Sequence, residues 1–362
     1  MVQHTFPNAF PDDYAVSDRD GVIENIHRVH AAVTDATGKL LFAVGNPQRL
    51  TLLRSAAKPF QTLATLETPG VDKYGFDDAD VALMCASHNS EERHVMRATQ
   101  MLDKIQAQES DLRCGGHPAV SPIVNKGWIR RDFTPGPLCN NCSGKHVGML
   151  AAALALSNGT SKEYHEATHP MQLRVRQVFE ELSGLASNEI PYGVDGCNLP
   201  APAFRLQNFA HIWAIFAKAA SLPLHDDLPV PARLKHLGHI YSAMSRFPEM
   251  VAGEGRFCTE LAQAYEGALV GKVGADACYG IAVRESDQTR LLGASGGLGI
   301  AVKVDDGNIE IMQACVMEIL EQLGLVGPQT KEKLDHFHHL KLVNTAGVAT
   351  GVVSLPFRVR PV

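Results

Sequence analysis

The feature that most constrains the fold is the order of the secondary-structure patterns, with strand-like segments at both ends of the chain and helical segments between them. The segment HRVHAAVTD alternates polar and apolar residues, and after an ATG turn the segment KLLFAVG continues as a second strand, which predicts a β-hairpin over about 22–44. Near the other end, ACYGIAVRE and TRLLGASGGLGIAVKVDDGN predict further antiparallel strands. This order favours an α+β fold, in which both chain ends form one antiparallel sheet packed with a helical region.

The helical region is predicted from about residue 55 to 270. Apolar residues recur at helical spacing after Arg54, through DADVALM, after a break at SHNS, and in SGKHVGMLAAALALS and HPMQLRVRQVFEELSG. Residues 1–20 are predicted to be an irregular arm and 106–142 a loop, while IEI is predicted as a last strand before the helix MQACVMEILEQLG. No repeat or linker marks a boundary, so we expect a single domain over 1–362.

Composition excludes several classes of function. With 45% hydrophobic and 20% charged residues, the chain is typical of globular proteins rather than of disordered chains or coiled coils. Its formal net charge of −6 leaves no basic excess for a nucleic-acid partner. A long apolar run and a basic segment followed by an apolar one are both missing, which predicts no membrane span, no signal peptide and a cytoplasmic protein. In that compartment the eight cysteines favour free thiols, metal ligands or catalysis over disulfides.

The segment RSAAKPF supplies the first chemical motif. If a helix begins at Ser55, Lys58 lies on the same face, one turn away. A neutral lysine can remove the proton of a serine hydroxyl, and burial or a second cation favours the neutral form. A serine and a lysine at this spacing also occur often by chance, and Ser55 could simply cap the helix.

A second serine lies in the polar segment CASHNSEERH, which follows an apolar helix. Ser87 could act as nucleophile, proton relay or oxyanion donor. The simpler interpretation is that this segment caps the next helix, since Ser90 precedes Glu91 and Glu92.

Cysteines form the third motif. Cys139 and Cys142 form a C-x-x-C pair just before Lys145 and His146, and Cys197 follows in VDGCN. Thiolates and imidazole at such spacings can bind zinc, although a complete second C-x-x-C pair is missing. Burial of ordinary free thiols near a turn would also explain these cysteines. Lys145 near a helix start is electrostatically unfavourable, which suggests either a partner or a functional requirement.

Six segments occur in one order across about residues 54–307: RSAAKPFQ, CASHNSEERH, CNNCSGKHVGML, VDGCNLPAPAF, GKVGADACYGIAV and SGGLGIAVKVDDGN. Together they resemble the asparaginase II family of the rhizobial type, which is unrelated to the asparaginases with threonine nucleophiles. The resemblance covers nearly the whole chain. It implies a fold similar to serine β-lactamases, penicillin-binding proteins and serine-dependent glutaminases. It also implies hydrolysis of L-asparagine to L-aspartate and ammonia, usually by a homodimer.

The same resemblance assigns roles to individual residues. One Ser-Lys tandem falls on Ser55 and Lys58, and a second falls on Ser87 and Lys272. We expect one serine, Ser55 first, to attack the amide carbon while Lys58 accepts its proton, and Ser87 with Lys272 to relay protons. Because the lysine base must be uncharged, an alkaline activity optimum is expected.

The resemblance also implies a zinc site on Cys142, Lys145 and Cys197, with Asp195 beside it. Ligand chemistry alone would favour His146 over Lys145, so His146 remains the alternative ligand. We expect the zinc to support structure or substrate recognition, with Arg54 and Asp195 as anchors for the substrate.

Three alternatives remain open from the sequence. A glutaminase would act on a substrate one methylene longer, a difference worth only about 1–3 kcal/mol. A β-lactamase or transpeptidase relative is disfavoured because no secretion signal is recognised. A non-catalytic zinc-binding protein on the same scaffold would leave both Ser-Lys pairs inert.

Overall fold

A computed structural model describes residues 13–156, 161–222 and 230–362 of the chain. The strands in these ranges are β1 (Tyr14–Arg19), β2 (Val22–Asp35), β3 (Leu40–Val44), β4 (Leu50–Leu52), β5 (Tyr192–Val194), β6 (Pro200–Arg205), β7 (Leu269–Gly274), β8 (Cys278–Val283), β9 (Leu298–Val304), β10 (Lys341–Val343), β11 (Ala349–Ser354) and β12 (Arg360–Pro361). The helices are α1 (Lys58–Leu66), α2 (Gly70–Lys73), α3 (Asp78–Met84), α4 (Glu92–Lys104), α5 (Pro122–Arg130), α6 (Ser143–Leu156), α7 (Pro170–Ser183), α8 (Leu206–Ser221), α9 (Ala232–Arg246), α10 (Pro248–Val251), α11 (Phe257–Ala264), α12 (Asp287–Leu291), α13 (Ile309–Gln322) and α14 (Pro328–His338).

The chain divides into two compact units. Within the described ranges, the first unit contains the residues up to 53, 204–218 and 271–362, and the second contains those of 54–203 and 219–270. The helical region predicted over 55–270 therefore corresponds to the second unit, except for the segment 204–218. That segment carries most of α8 and belongs to the first unit.

The first unit contains the large antiparallel sheet, in which strands from both chain ends meet. Its main path runs β10-β11-β1-β2-β9-β8-β7, and β3 pairs with β2 and β12. In the pairing of β2 with β9, Val29 lies opposite Val304 and Val33 opposite Ile300. The predicted β2–β3 hairpin and the pairing of both chain ends in one antiparallel sheet are confirmed.

Three local predictions at the chain ends are wrong. Residues 14–19 of the expected irregular arm form β1, while residues 1–12 of that arm lie outside the described ranges. The TRLL segment is helical because Ser286 caps α12 through the Thr289 amide. The IEI segment begins α13, where the Asn308 side chain accepts a hydrogen bond from the Ile311 amide. In the last two cases a capping side chain outweighs the strand-like pattern.

Glycines explain why α8 packs on the sheet of the first unit. A Cβ atom at Gly299 on β9 would lie 1.9 Å from the Ala210 carbonyl oxygen, and one at Gly280 on β8 would lie 2.1 Å from the Trp213 indole nitrogen. Both α8 residues are fully buried. The α8 backbone at Ala210 and the indole ring of Trp213 thus approach the sheet more closely than a side chain at either glycine would permit.

The second unit consists mainly of packed helices, in which α3 packs on α9 and α6, and α1 packs on α7. Helix α3 begins with a capping box, in which Asp77 accepts the Asp80 amide and Asp80 accepts the Asp77 amide. Helix α7 ends at Gly184 in a left-handed conformation, as its sequence predicts. None of the helices in the described part of the chain is long and apolar enough to cross a membrane.

Candidate active site

Lys58 lies at the start of α1, immediately after a 3₁₀ turn over Arg54–Ala57. Arg54 has a φ of 49°, a left-handed conformation that is costly for a residue with a side chain. The side chain of Lys58 is fully buried, and its Nζ donates hydrogen bonds to the Ser87 Oγ at 3.0 Å and to the Ala86 carbonyl. The structure therefore brings the amine of one predicted tandem to the hydroxyl of the other.

Ser55 belongs to the 3₁₀ turn and is half-buried. Among the residues that the structure describes, its hydroxyl makes no hydrogen bond, and the amine of Lys58 bonds to Ser87. The reason is local, since the α-helix begins at Lys58 instead of Ser55. The catalytic role assigned to Ser55 stays a prediction, and Ser55 is a more exposed residue than Ser87.

Ser87 lies in the loop between α3 and α4, and only 4% of the residue is exposed. Its amide donates a hydrogen bond to the Val251 carbonyl at 2.9 Å, so this N–H is occupied and does not serve as an oxyanion donor in this structure. Ser90, three residues later, has a φ of 61°, and its hydroxyl donates to the Cys139 carbonyl. Strained backbone thus occurs on both loops that lead to the Lys58–Ser87 pair.

Two buried histidines support the Ser87 loop. The Ser90 amide donates to His88 Nδ1, so the neutral ring carries its proton on Nε2, which donates to the Ser143 Oγ at 2.9 Å. The ring stacks on that of His94 with centroids 5.0 Å apart. Burial, followed by the charge of His94, lowers the pKa of His88 well below its usual value. A neutral His88 therefore joins the loop to the start of α6.

No sequence motif indicates His88, His94 or Ser143 as parts of the site. The polar density of CASHNSEERH was the available signal, but a polar segment normally lies on the surface. Here His88, His94 and Ser143 are fully buried, and their burial follows from how the helices pack and not from the local sequence.

Cys142, Lys145 and Cys197 form a buried cluster near the start of α6. Lys145 Nζ donates to the Cys197 Sγ at 3.1 Å. A hydrogen bond from Cys197, aided by the charges of Lys58 and Lys145, lowers the pKa of Cys142, and the same hydrogen bond raises the pKa of Cys197. The two thiols thus share one proton beside the ammonium group of Lys145.

The unfavourable position of Lys145 at the start of a helix is explained by its neighbours. Burial opposes its charge, but the interactions with Cys197, Cys142 and Asp195 together raise the pKa of Lys145 above its usual value. Asp195 in turn accepts a hydrogen bond at 2.7 Å from Arg54, and the two form an ion pair. Burial opposes the charge of Asp195, but Lys145 and Arg54 lower its pKa. The predicted substrate anchors, Arg54 and Asp195, therefore lie next to the predicted metal ligands.

The donor set of this cluster fits zinc. Two sulfur atoms and the Lys145 nitrogen meet in a buried position, and soft thiolates favour zinc over harder cations. The Lys145 nitrogen would bind zinc only after losing its proton, which the charge of the metal would favour. His146 does not join them. Its Nδ1 is hydrogen-bonded to the Tyr164 hydroxyl at 2.7 Å. Across the described residues, a single group of three His, Cys, Asp or Glu side chains has its ligand atoms within 4.8 Å of one another, and it consists of Glu318, Glu321 and His338.

Lys272 is fully buried on β7, and its Nζ donates to the Val273 carbonyl at 2.8 Å. It belongs to the first compact unit, whereas Ser87 belongs to the second. The tandem of Ser87 with Lys272 stays a prediction.

Solved structures with similarity to the chain have low TM-scores. A crystal structure of Mglu gives a TM-score of 0.41 at 14% identity, with 82% of this chain and 67% of that chain covered. A crystal structure of Mglu in its tris and glutamate form is covered over 59% of its length. The chain therefore spans about three fifths to two thirds of these Mglu chains. A probable glutaminase from Bacillus subtilis, complexed with 6-diazo-5-oxo-L-norleucine, gives a TM-score of 0.36 at 12% identity, with coverage of 82% and 84%.

The family of the chain is shown by its match to a family model. No protein with a curated description matches the chain. The family model described as L-asparaginase II matches residues 15–355, which include the Lys58–Ser87 pair and the Cys142–Cys197 cluster. The match extends over almost the full sequence and agrees with the resemblance carried by the six motifs. The chain therefore belongs to the L-asparaginase II family and is an amidohydrolase.

Proposed function

We propose that the protein hydrolyses L-asparagine to L-aspartate and ammonia through a serine ester. The observation that carries this proposal is the buried hydrogen bond between Lys58 Nζ and Ser87 Oγ, beside the Arg54–Asp195 ion pair. A lysine amine held against a serine hydroxyl is the arrangement that activates an oxygen nucleophile.

In the proposed reaction the serine oxygen attacks the side-chain amide carbon, and its proton passes to the amine of Lys58. The tetrahedral intermediate then expels ammonia, which takes up the proton from Lys58. Water hydrolyses the remaining β-aspartyl ester and regenerates the serine. A lysine amine accepts a proton only when it is uncharged, so the rate is expected to rise with pH.

Substrate recognition is assigned to the Arg54–Asp195 pair. The guanidinium of Arg54 suits the α-carboxylate of the substrate, and the carboxylate of Asp195 suits the α-ammonium group. The two side chains are 26% and 12% exposed, so they are only partly accessible to solvent. Zinc is proposed on Cys142, Lys145 and Cys197, where it would supply a fixed positive charge that keeps both thiols ionised. A homodimer is part of the same proposal and rests on the family resemblance.

Two assignments of the ester-forming serine have support. Ser55 is half-buried, so a substrate reaches it more easily, whereas Ser87 receives the hydrogen bond from Lys58. Intact mass after trapping with a slow asparagine analogue separates the two. An adduct retained by Ser87→Ala and lost by Ser55→Ala assigns the ester to Ser55, and the reverse result assigns it to Ser87.

The activity itself is tested by ammonia release from L-asparagine and L-glutamine. We expect Lys58→Met to lower kcat for L-asparagine by about 10²–10⁴-fold, the usual contribution of a general base. Lys126→Met, a change on the exposed face of α5, is the matched control and should keep full activity. Ammonia release from L-glutamine alone, or equal activity of Lys58→Met and wild type, would contradict the proposal.

A further inference from the structure

A cavity lies within the second unit, lined by residues of 165–200. It has a volume of about 280 Å³, and its walls include His165, Glu166, Arg176, Tyr192 and Asn198. We refer to it as the Tyr192 cavity. Its volume is just below the range of about 300–1,000 Å³ that is typical of pockets for drug-sized ligands, so it suits a smaller molecule. Neither the residues of the Lys58–Ser87 pair nor those of the Cys142–Cys197 cluster line it.

Two buried polar atoms of this cavity have no hydrogen-bond partner in the described ranges. These are the Tyr192 hydroxyl and the His165 Nδ1. Burial raises the pKa of Tyr192 to about 12, so its hydroxyl is a donor at neutral pH. A buried polar group without a partner is unfavourable, and a bound ligand would satisfy both atoms.

The cavity also contains a cation without a carboxylate partner. The guanidinium of Arg176 lies over the Tyr192 ring, 4.8 Å from its centroid, and within the described part of the chain no carboxylate lies within 4.0 Å of it. Other arginines of the same unit, such as Arg54 and Arg233, form ion pairs. Arg176 and the Tyr192 hydroxyl form a pair of donors suited to a carboxylate. The neutral His165 ring has its Nε2 proton directed at Glu166, so its free Nδ1 is an acceptor.

The carboxylate of Glu166 limits the kinds of ligand that fit the Tyr192 cavity. Its carboxylate lies 3.2 Å from His165 Nε2 and is 59% exposed, so its remaining acceptor capacity is accessible. An anion at Arg176 next to an acceptor at Glu166 matches a molecule that carries both a carboxylate and an ammonium group. We propose that the Tyr192 cavity is a second binding site of this protein, which takes a free α-amino acid.

The cavity is connected to the candidate active site through one turn. Asn198 has a φ of 69°, and its amide donates to the Asp195 carbonyl at 2.8 Å. The Asp195 amide in turn donates to the Leu199 carbonyl at 2.9 Å. An amino acid in the cavity would therefore contact the turn that holds Asp195 and Cys197.

Equilibrium dialysis with radiolabelled L-aspartate tests the site by counting the equivalents bound per chain. We expect Arg176→Met to lose one equivalent relative to wild type, and Tyr192→Phe to weaken that equivalent about tenfold. Arg174→Met is the matched control, since Arg174 lies on the same helix but outside the cavity and contacts Glu67. It should keep the wild-type count.

Succinate, which lacks the ammonium group, should displace this equivalent about tenfold less well than unlabelled L-aspartate. Equal numbers of bound L-aspartate equivalents in wild type and Arg176→Met would overturn the proposal. Displacement by succinate that equals displacement by unlabelled L-aspartate would also overturn it. If circular dichroism shows that Arg176→Met is unfolded, Tyr192→Phe decides, and unchanged affinity in that variant overturns it. The count compares variants with wild type, so its outcome is independent of ammonia release from asparagine.

Discussion

At the scale of single residues, the candidate site combines charges that would be costly if they were buried alone. Lys145 and Asp195 are buried or nearly so, yet each has an oppositely charged or ionisable partner within the same cluster. Arg54 reaches Asp195 from a strained backbone conformation, and the ion pair helps to hold that conformation. Such a cluster is more typical of a binding or catalytic site than of a packed interior.

The proposed zinc site is tested by metal analysis of the purified protein. We expect about one zinc per chain in wild type and a loss of most of it in Cys197→Ser, because structural zinc needs its thiolate ligands. His146→Asn is the control for the alternative ligand and should retain the metal, since His146 is paired with Tyr164. Loss of zinc in His146→Asn with retention in Lys145→Met would show that His146 is the ligand.

At the scale of elements, the close packing of α6 on α3 positions the site. A Cβ atom at Gly144 would lie 2.5 Å from the Leu83 carbonyl oxygen and 2.6 Å from its Cγ. Gly144 is one residue before Lys145 on α6, and Leu83 is four residues before Ser87 in the chain. The separation of these two helices therefore controls how close the cysteine cluster lies to the Ser87 loop.

We expect Gly144→Ala to destabilise the protein by about 1–3 kcal/mol, because the added methyl group meets backbone that cannot move aside. Gly127→Ala on α5 is the matched control. A Cβ there has no atom within 4 Å, so the gain in helix propensity should stabilise the protein by about 0.5–1 kcal/mol. Urea unfolding midpoints measure both changes. A more stable Gly144→Ala variant would mean that α6 can shift away from α3.

At the scale of the whole molecule, buried or half-buried histidines with lowered pKa values occur in both units. Burial is the largest cause that lowers the pKa of six histidines in the described ranges: His30, His88, His94, His146, His211 and His236. Each of them binds a proton more readily in the unfolded chain than in the folded one. Their contribution to stability is therefore fully present above about pH 6.5 and is lost as the pH falls below it.

The urea midpoint should accordingly be higher at pH 7 than at pH 5.5. Each fully shifted histidine contributes a slope of at most about 1.4 kcal/mol per pH unit. His88→Gln should reduce this pH dependence, whereas His339→Gln, at an exposed position, should leave it unchanged. A midpoint that is equal or higher at pH 5.5 would contradict the assignment of neutral histidines to the folded state.

The local sequence predicted much of the fold. Alternation identified the β2–β3 hairpin, helical spacing identified α6 and α7, and Gly184 marked the end of α7, because these signals depend on near neighbours. It failed where a cap reversed the pattern, as at Ser286, and where pairing with a distant strand ordered residues 14–19. Strand pairing of that kind depends on a partner far along the chain.

For the site, the sequence by itself determined which side chains are available: two serines, the lysines, and the thiols of Cys142 and Cys197. Six ordered motifs were also enough to indicate the family. Only the tertiary structure decided that Lys58 bonds to Ser87, that Arg54 pairs with Asp195, and that His146 binds Tyr164. Each of these contacts joins separate loops or helices, and its geometry is set by how those elements pack, which residue spacing does not encode.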